Sequence, residues 1–132
     1  SEMCIRDSFE NTEHTINNEG PYAFYYHNKI YLAYSGGDAR GYLYAIGMLT
    51  ANDGDDLCDL SVWEKAKTPI ASFATIPGEY GPGHNSFFWD RDQNLWIAYH
   101  AVTSFEEKIV SSGMRRVYFE QDKTPRFDVI VE

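Results

Sequence analysis

Cysteine is scarce in this chain of 132 residues: Cys4 and Cys58 are the only two. They lack metal-ligand spacing, which excludes a disulfide framework and a zinc site of the paired-cysteine kind. Positive charge is scarce as well. Eleven Lys and Arg stand against 20 Asp and Glu, for a net charge of −9, which argues against a polyanionic partner such as nucleic acid. No apolar run approaches the roughly 20 residues that a bilayer-crossing helix needs, so no membrane partner is expected. Nothing near residue 1 has the pattern of a signal peptide. Secreted, periplasmic and cytoplasmic locations all stay open.

Aromatic residues, by contrast, are plentiful. Ten Tyr, eight Phe and three Trp make up 16% of the chain, which suits β-strands and clefts that hold sugars. They fall into two similar units. In the first, Tyr22-Ala23-Phe24-Tyr25-Tyr26 leads through His27-Asn28-Lys29 into Ile30-Tyr31-Leu32-Ala33-Tyr34-Ser35. In the second, Phe87-Phe88-Trp89 leads through residues 90–94 into Leu95-Trp96-Ile97-Ala98-Tyr99-His100. Aligned without a gap, sixty-five positions apart from Ile30 to Leu95, the units place Glu19 on His84. One ionisable side chain therefore leads each unit, and the two are expected to face one shared site.

Each unit reads as about four strands. The first has residues 22–26, 30–35 and 42–50, with a short outer strand within 68–75. The second has 86–89, 95–100, 115–120 and 127–131, after a looser loop at 103–113. Asn28 suits a left-handed turn position, and the largely apolar strand faces suit sheets packed between neighbours. Residues 51–59 are acidic, but Leu57 stands where an EF-hand pattern needs an oxygen ligand, so a solvated connection is expected there. Residues 60–64 suggest a helical turn with Trp63 packed inward. Repeated four-stranded antiparallel sheets point to β-propeller blades. Two repeats are fewer than the roughly three that a stacked core needs, which suggests a piece of a larger protein. Residues 1–8, Ser-Glu-Met-Cys-Ile-Arg-Asp-Ser, resemble translated adaptor read-through and are expected to be a non-native tail, with 9–132 the propeller part.

In a propeller the first strand of each blade lines the axis. A desolvated Glu19 there would have a raised pKa and serve as a general acid; as a plain turn residue it would bind backbone amides before Gly20-Pro21. His84 would bind a metal, contact a ligand, or be a satisfied buried histidine. Adjacent Arg115 and Arg116 point to opposite faces of a strand, so one of them is free to clamp a sugar hydroxyl. His14, His27 and His100 carry no assigned role.

Asn18-Glu19-Gly20-Pro21 with Lys29-Ile30-Tyr31-Leu32-Ala33-Tyr34-Ser35 is similar to the general-acid segment of family 43 glycoside hydrolases. Gly47-Met48-Leu49-Thr50-Ala51, Ser61-Val62-Trp63-Glu64-Lys65, Thr68-Pro69-Ile70, Tyr80-Gly81-Pro82-Gly83-His84-Asn85-Ser86-Phe87 and Ala98-Tyr99-His100-Ala101 continue it. Arg116-Val117-Tyr118-Phe119, with Asp122 and Pro125, resembles the last blade. The resemblance implies a five-bladed β-propeller, of which this chain holds two blades. It also implies inverting hydrolysis of arabinose- or xylose-containing plant polysaccharide, most like an α-L-arabinofuranosidase. Glu19 would be the acid, with two aspartates from earlier blades as base and pKa modulator. His84 would sit on the axis near calcium or another ion, and His84, Asn85, Arg115 and Arg116 would contact substrate. With neither aspartate present, the chain alone is expected to be inactive and, with open sheet edges, prone to aggregate. The competing reading is a carbohydrate-binding or scaffold propeller that kept the fold and lost the chemistry.

Overall fold

The computed structural model describes residues 17–129. The 1–8 tail reading and the end of the expected 127–131 strand lie outside them. The described residues form nine strands: β1 (Asn18–Tyr26), β2 (Lys29–Gly36), β3 (Ala45–Asn52), β4 (Glu64–Lys65), β5 (Tyr80–Trp89), β6 (Leu95–Ser104), β7 (Ile109–Arg116), β8 (Tyr118–Phe119) and β9 (Pro125–Arg126). They make a sheet β1-β2-β3-β4, a sheet β5-β6-β7 and a ribbon β8-β9, all antiparallel. No helix among the described residues is long and apolar enough to cross a membrane.

Alternation decides which faces meet. In β6, Leu95, Ile97, Tyr99 and Ala101 are buried while Trp96, Ala98 and His100 are only partly so. The buried set joins Phe87 and packs against Phe24, Tyr31, Ala33, Ile46 and Met48 of the first sheet. Phe24 stacks on Tyr31 at 4.8 Å and meets Phe87 at 4.5 Å across the gap. Burying such side chains supplies about 1.5–3 kcal/mol each, so this double layer is what holds the two sheets together.

Several strand boundaries differ from expectation. The second unit has three paired strands in its sheet instead of four. After Val117, whose N–H still reaches the Leu95 carbonyl at 2.8 Å, the chain turns back on itself as β8-β9. Lys123 at φ 67° and the Glu120–Thr124 backbone bond close that turn. The outer strand of the first unit is β4, not 68–75, where Ala71 makes only an isolated bridge to Ile46; Pro69 has no N–H to give a ladder. Most of 103–113 is strand, with the turn confined to residues 105–108 between β6 and β7. In the acidic connection, Asp55, Asp56 and Asp59 accept backbone N–H bonds from Asn52, Cys58 and Ser61. Leu60–Val62 is a 3-10 turn, and Trp63 is half-buried with its indole N–H on the Leu57 carbonyl.

The ungapped repeat also needs correcting. Pairs Tyr25↔Ile30 and Trp89↔Leu95 are equivalent, yet four residues separate the first pair and five the second. His27 and Asn28, both at positive φ, close a tight two-residue turn. The longer turn is held by Asp90, whose carboxylate accepts from the Asp92 and Asn94 backbone and from the Trp96 indole. The first strands therefore slip by one against the second strands. Glu19 pairs with Ser35, and Gly83 pairs with His100, which lies sixty-five positions after Ser35. By pairing, Glu19 corresponds to Gly83, and Gly20 corresponds to His84.

Candidate active site

Both slipped positions are bulges. The β1–β2 register shifts between Glu19 and Tyr22, and the β5–β6 register shifts on both sides of Gly83. Gly20 at φ 58° and His84 at φ 50° take the left-handed conformation that such bulges use. They also touch: a Cβ placed on Gly20 would lie 3.8 Å from His84 Cα and 3.9 Å from His84 Nδ1. The two sheets thus bring their bulges together, with Glu19 beside one and the exposed His84 imidazole on the other.

Four further contacts fix the cluster. Tyr44, fully buried just before β3, donates its hydroxyl to Glu19 Oε1 at 2.7 Å. Its ring lies flat over Gly83, where an added Cβ would come within 2.0 Å of Tyr44 Cε1. It stacks beside His100 at 5.8 Å, and His100 in turn faces His84 at 6.2 Å with planes 20° apart. Buried Ser35 accepts the His84 backbone N–H at 2.7 Å, which holds His84 in its unusual φ. Gly83 is glycine because a tyrosine ring occupies the place of its side chain.

The electrostatics follow from burial. Desolvation is the largest effect pushing the Tyr44 hydroxyl well above its usual range, with Glu19 adding to it and Ser35 opposing. Tyr44 is therefore a permanent donor to Glu19. His100 is held below its usual range by desolvation first and by His84 second, with Glu19 opposing. At neutral pH a neutral imidazole thus stands near the carboxylate instead of a cation.

Among the described residues no group of three or more His, Cys, Asp or Glu side chains converges to hold a metal ion. Calcium takes six to eight oxygen ligands, and the Glu19 carboxylate is already engaged by Tyr44. These residues do not by themselves make a calcium site.

Of the residues expected at the site, Glu19 and His84 come together, and Asn85 follows His84 in the chain. Asn85 is 5% exposed, and neither its Oδ1 nor its Nδ2 has a partner. The two arginines are not brought to this cluster. Arg115 donates to the Tyr99 hydroxyl at 3.0 Å and approaches Glu79 Oε1 at 3.5 Å. Tyr99 shares the strand face opposite that of His100. Arg116 lies 5.1 Å over the Tyr118 ring and pairs with Trp96, four residues along β6 from His100. Tyr44, Ser35 and His100 belong to the cluster without having been singled out by sequence. His100 had one usable signal, its place sixty-five positions after Ser35.

The profile of glycosyl hydrolases family 43 matches residues 2–125. An extracellular exo-alpha-(1->5)-L-arabinofuranosidase of Streptomyces avermitilis is 31% identical over 122 residues, covering 86% of this chain and 25% of that protein. Alpha-L-arabinofuranosidase B of Pyricularia oryzae is 28% identical over 129 residues, covering 92% and 26%. The structure of an alpha-L-arabinofuranosidase from Lactobacillus brevis superposes with a TM-score of 0.79 at 30% identity, over 91% of this chain and 39% of that one. The chain spans about a quarter of the length of these curated relatives. With nearly its whole length matched, and with the all-β antiparallel fold of its structural neighbours, the chain belongs to glycosyl hydrolases family 43.

Proposed function

We propose that the chain supplies the acid half of an inverting glycosidase site acting on arabinose-containing plant polysaccharide or its oligosaccharides, of the α-L-arabinofuranosidase type, with xylosides as related substrates. The observation that carries this reading is the Tyr44–Glu19 hydrogen bond at the meeting of the two bulges. Glu19 gives its proton to the glycosidic oxygen as the bond to the anomeric carbon breaks. Water, deprotonated by an aspartate, attacks the opposite face of the sugar, and the configuration inverts. Tyr44 orients the Glu19 carboxyl by donating its hydroxyl to Oε1. The unpaired Asn85 amide, enclosed behind His84, offers a donor and an acceptor that an internal water would satisfy.

The aspartates that act as base and modulator, on this reading, belong to further blades of a five-bladed propeller. The outer face of β5–β7 supports such neighbours. Phe88 and Met114 there are 40% and 62% exposed, whereas Phe24, on the equivalent face of the first sheet, is packed. An axial ion near His84 would need ligands beyond those of this chain.

The test is hydrolysis by the protein completed with its further blades, with Glu19 intact and as Glu19→Ala. A natural arabino-oligosaccharide should lose about 10²–10⁴-fold in rate, the usual worth of general acid catalysis. An aryl arabinoside whose leaving group needs no protonation should keep most of its rate. Equal losses on both would remove Glu19 from the acid's role. Cleavage of neither arabinosides nor xylosides by the intact protein would leave the binding-propeller reading instead. The 132-residue chain alone should show no turnover.

A further inference from the structure

Four aromatic rings from separate stretches of chain gather at the end of the sheets that carries Glu19. Tyr42 stacks on Tyr80 at 5.0 Å with 25° between planes, and leans on Phe73 at 4.6 Å. Phe105 closes the group, 6.0 Å from Tyr42 and 5.7 Å from Tyr80. These rings are not core: Tyr42 and Phe73 are each 39% exposed and Phe105 is 43% exposed.

Topology places the group. Tyr42 sits in the β2–β3 connection, Phe105 in the β6–β7 turn, Phe73 in the connection before β5, and Tyr80 is the first residue of β5. Each is at the end where β1 starts with Asn18-Glu19 and where β5 brings His84. The group is also continuous with the acid. Gly81, next to Tyr80, presses on the Gly41 carbonyl, next to Tyr42, where an added Cβ would come within 2.4 Å. Tyr44 Cβ lies 3.4 Å from the same point, and the Tyr44 hydroxyl ends on Glu19. One tyrosine side chain thus spans from the base of the aromatic group to the carboxyl. Beside Phe105 opens a cavity of about 450 Å³ whose walls include Arg40 and Lys108.

Aromatic faces receive the C–H faces of sugar rings, while Arg and Lys donate to hydroxyls and have no acceptor of their own. We infer that Tyr42, Phe73, Tyr80 and Phe105, with Arg40 and Lys108, form a subsite for pentose units of a neutral oligosaccharide. These units lie on the leaving-group side of the bond that Glu19 protonates. The inference rests on the proposed role of Glu19, and it makes this surface the part of the chain that selects extended substrates over short ones.

The experiment measures kcat/KM for arabino-oligosaccharides of increasing length and for an aryl arabinoside, using the completed protein and its Tyr42→Ala, Phe105→Ala and Tyr42→Phe forms. The ratio of long-oligosaccharide to aryl-arabinoside kcat/KM should fall about three- to tenfold in each alanine form, chiefly through KM. Tyr42→Phe, which keeps the ring, should restore the ratio. An unchanged ratio overturns the subsite. A loss of equal size on every substrate also overturns it, since that marks a structural role. A second readout separates the subsite from the proposed chemistry: calorimetric binding of an arabino-oligosaccharide to the Glu19→Ala protein. Length-dependent binding that needs Tyr42, in a protein whose intact form cleaves nothing, upholds the subsite and ends the catalytic reading. Hydrolysis by the intact protein with no dependence on Tyr42 does the reverse.

Discussion

Adding one methyl group at Gly83 tests how the site is built. Gly83 lies outside the left-handed region, so its backbone accepts alanine. On that ground alone Gly83→Ala would stabilise by about 0.4–1 kcal/mol, through the unfolded chain. The surroundings oppose it. The new Cβ would sit 2.0 Å from Tyr44 Cε1, 2.5 Å from Cδ1 and 2.8 Å from Cζ. Tyr44 is 0% exposed and its hydroxyl is tied to Glu19, so the ring has no free direction of retreat. Overpacking of this kind costs about 1–3 kcal/mol, which exceeds the entropic gain. Urea unfolding should therefore show a lower midpoint with an unchanged slope. The decisive comparison is a double-mutant cycle. In a Tyr44→Ala background the methyl group has space, and Gly83→Ala should become neutral or stabilising, a coupling of about 1–3 kcal/mol. The same cost in both backgrounds would refute the claim that a tyrosine ring is what excludes a side chain at position 83. Hydrolysis offers a parallel readout, because a displaced Tyr44 no longer orients Glu19.

Two further predictions concern stability. His100 is held below its usual 6.5 by burial first and then by His84. A depressed folded value means that the stability from its neutral form is full above about pH 6.5 and is lost as pH falls through the folded value. His100→Gln should flatten the dependence of the unfolding midpoint on pH between about 7.5 and 5, and a slope left unaltered would contradict the burial argument. Phe24→Ala removes the ring that joins Tyr31 to Phe87 across the sheets and should cost about 3–5 kcal/mol in urea unfolding. A loss below about 1 kcal/mol would mean that the sheets do not pack through it.

The hairpins were legible because alternation and turn residues are local signals: Asn28 takes the left-handed turn its side chain favours, and Leu95 to Ala101 alternate as written. The nearness of Glu19 and His84 was legible through the repeat, although their equivalence was not. Counting residues along two similar strings cannot show that one connection carries an extra residue while the pattern resumes in step beyond it. Tyr44 and Ser35 were hidden for another reason. Their partners lie 25 and 49 positions away, and no period in the sequence carries such contacts. Arg115 is held by Glu79, at the approach to β5, a partner 36 positions away that strand alternation does not reveal. The outer strand lies at β4 instead of within 68–75 because Pro69 lacks the N–H a ladder needs, a signal that is local and legible in the sequence.

The longer turn held by Asp90 has a consequence for how duplicated sheets acquire separate tasks. Two copies of one hairpin need not mutate the residues that open their first strands to differ. A single residue gained in a surface turn, at the far end of the strands, shifts what each copy presents inward. Here one copy offers a carboxyl and the other a bare backbone that makes space for a tyrosine. Removing one residue from the second turn would draw β5 back into step with β1, bring His84 opposite His100, and push a side chain into the space that Tyr44 fills. Length in a surface loop at the opposite end of the strands from the carboxyl is, in this fold, a chemical variable.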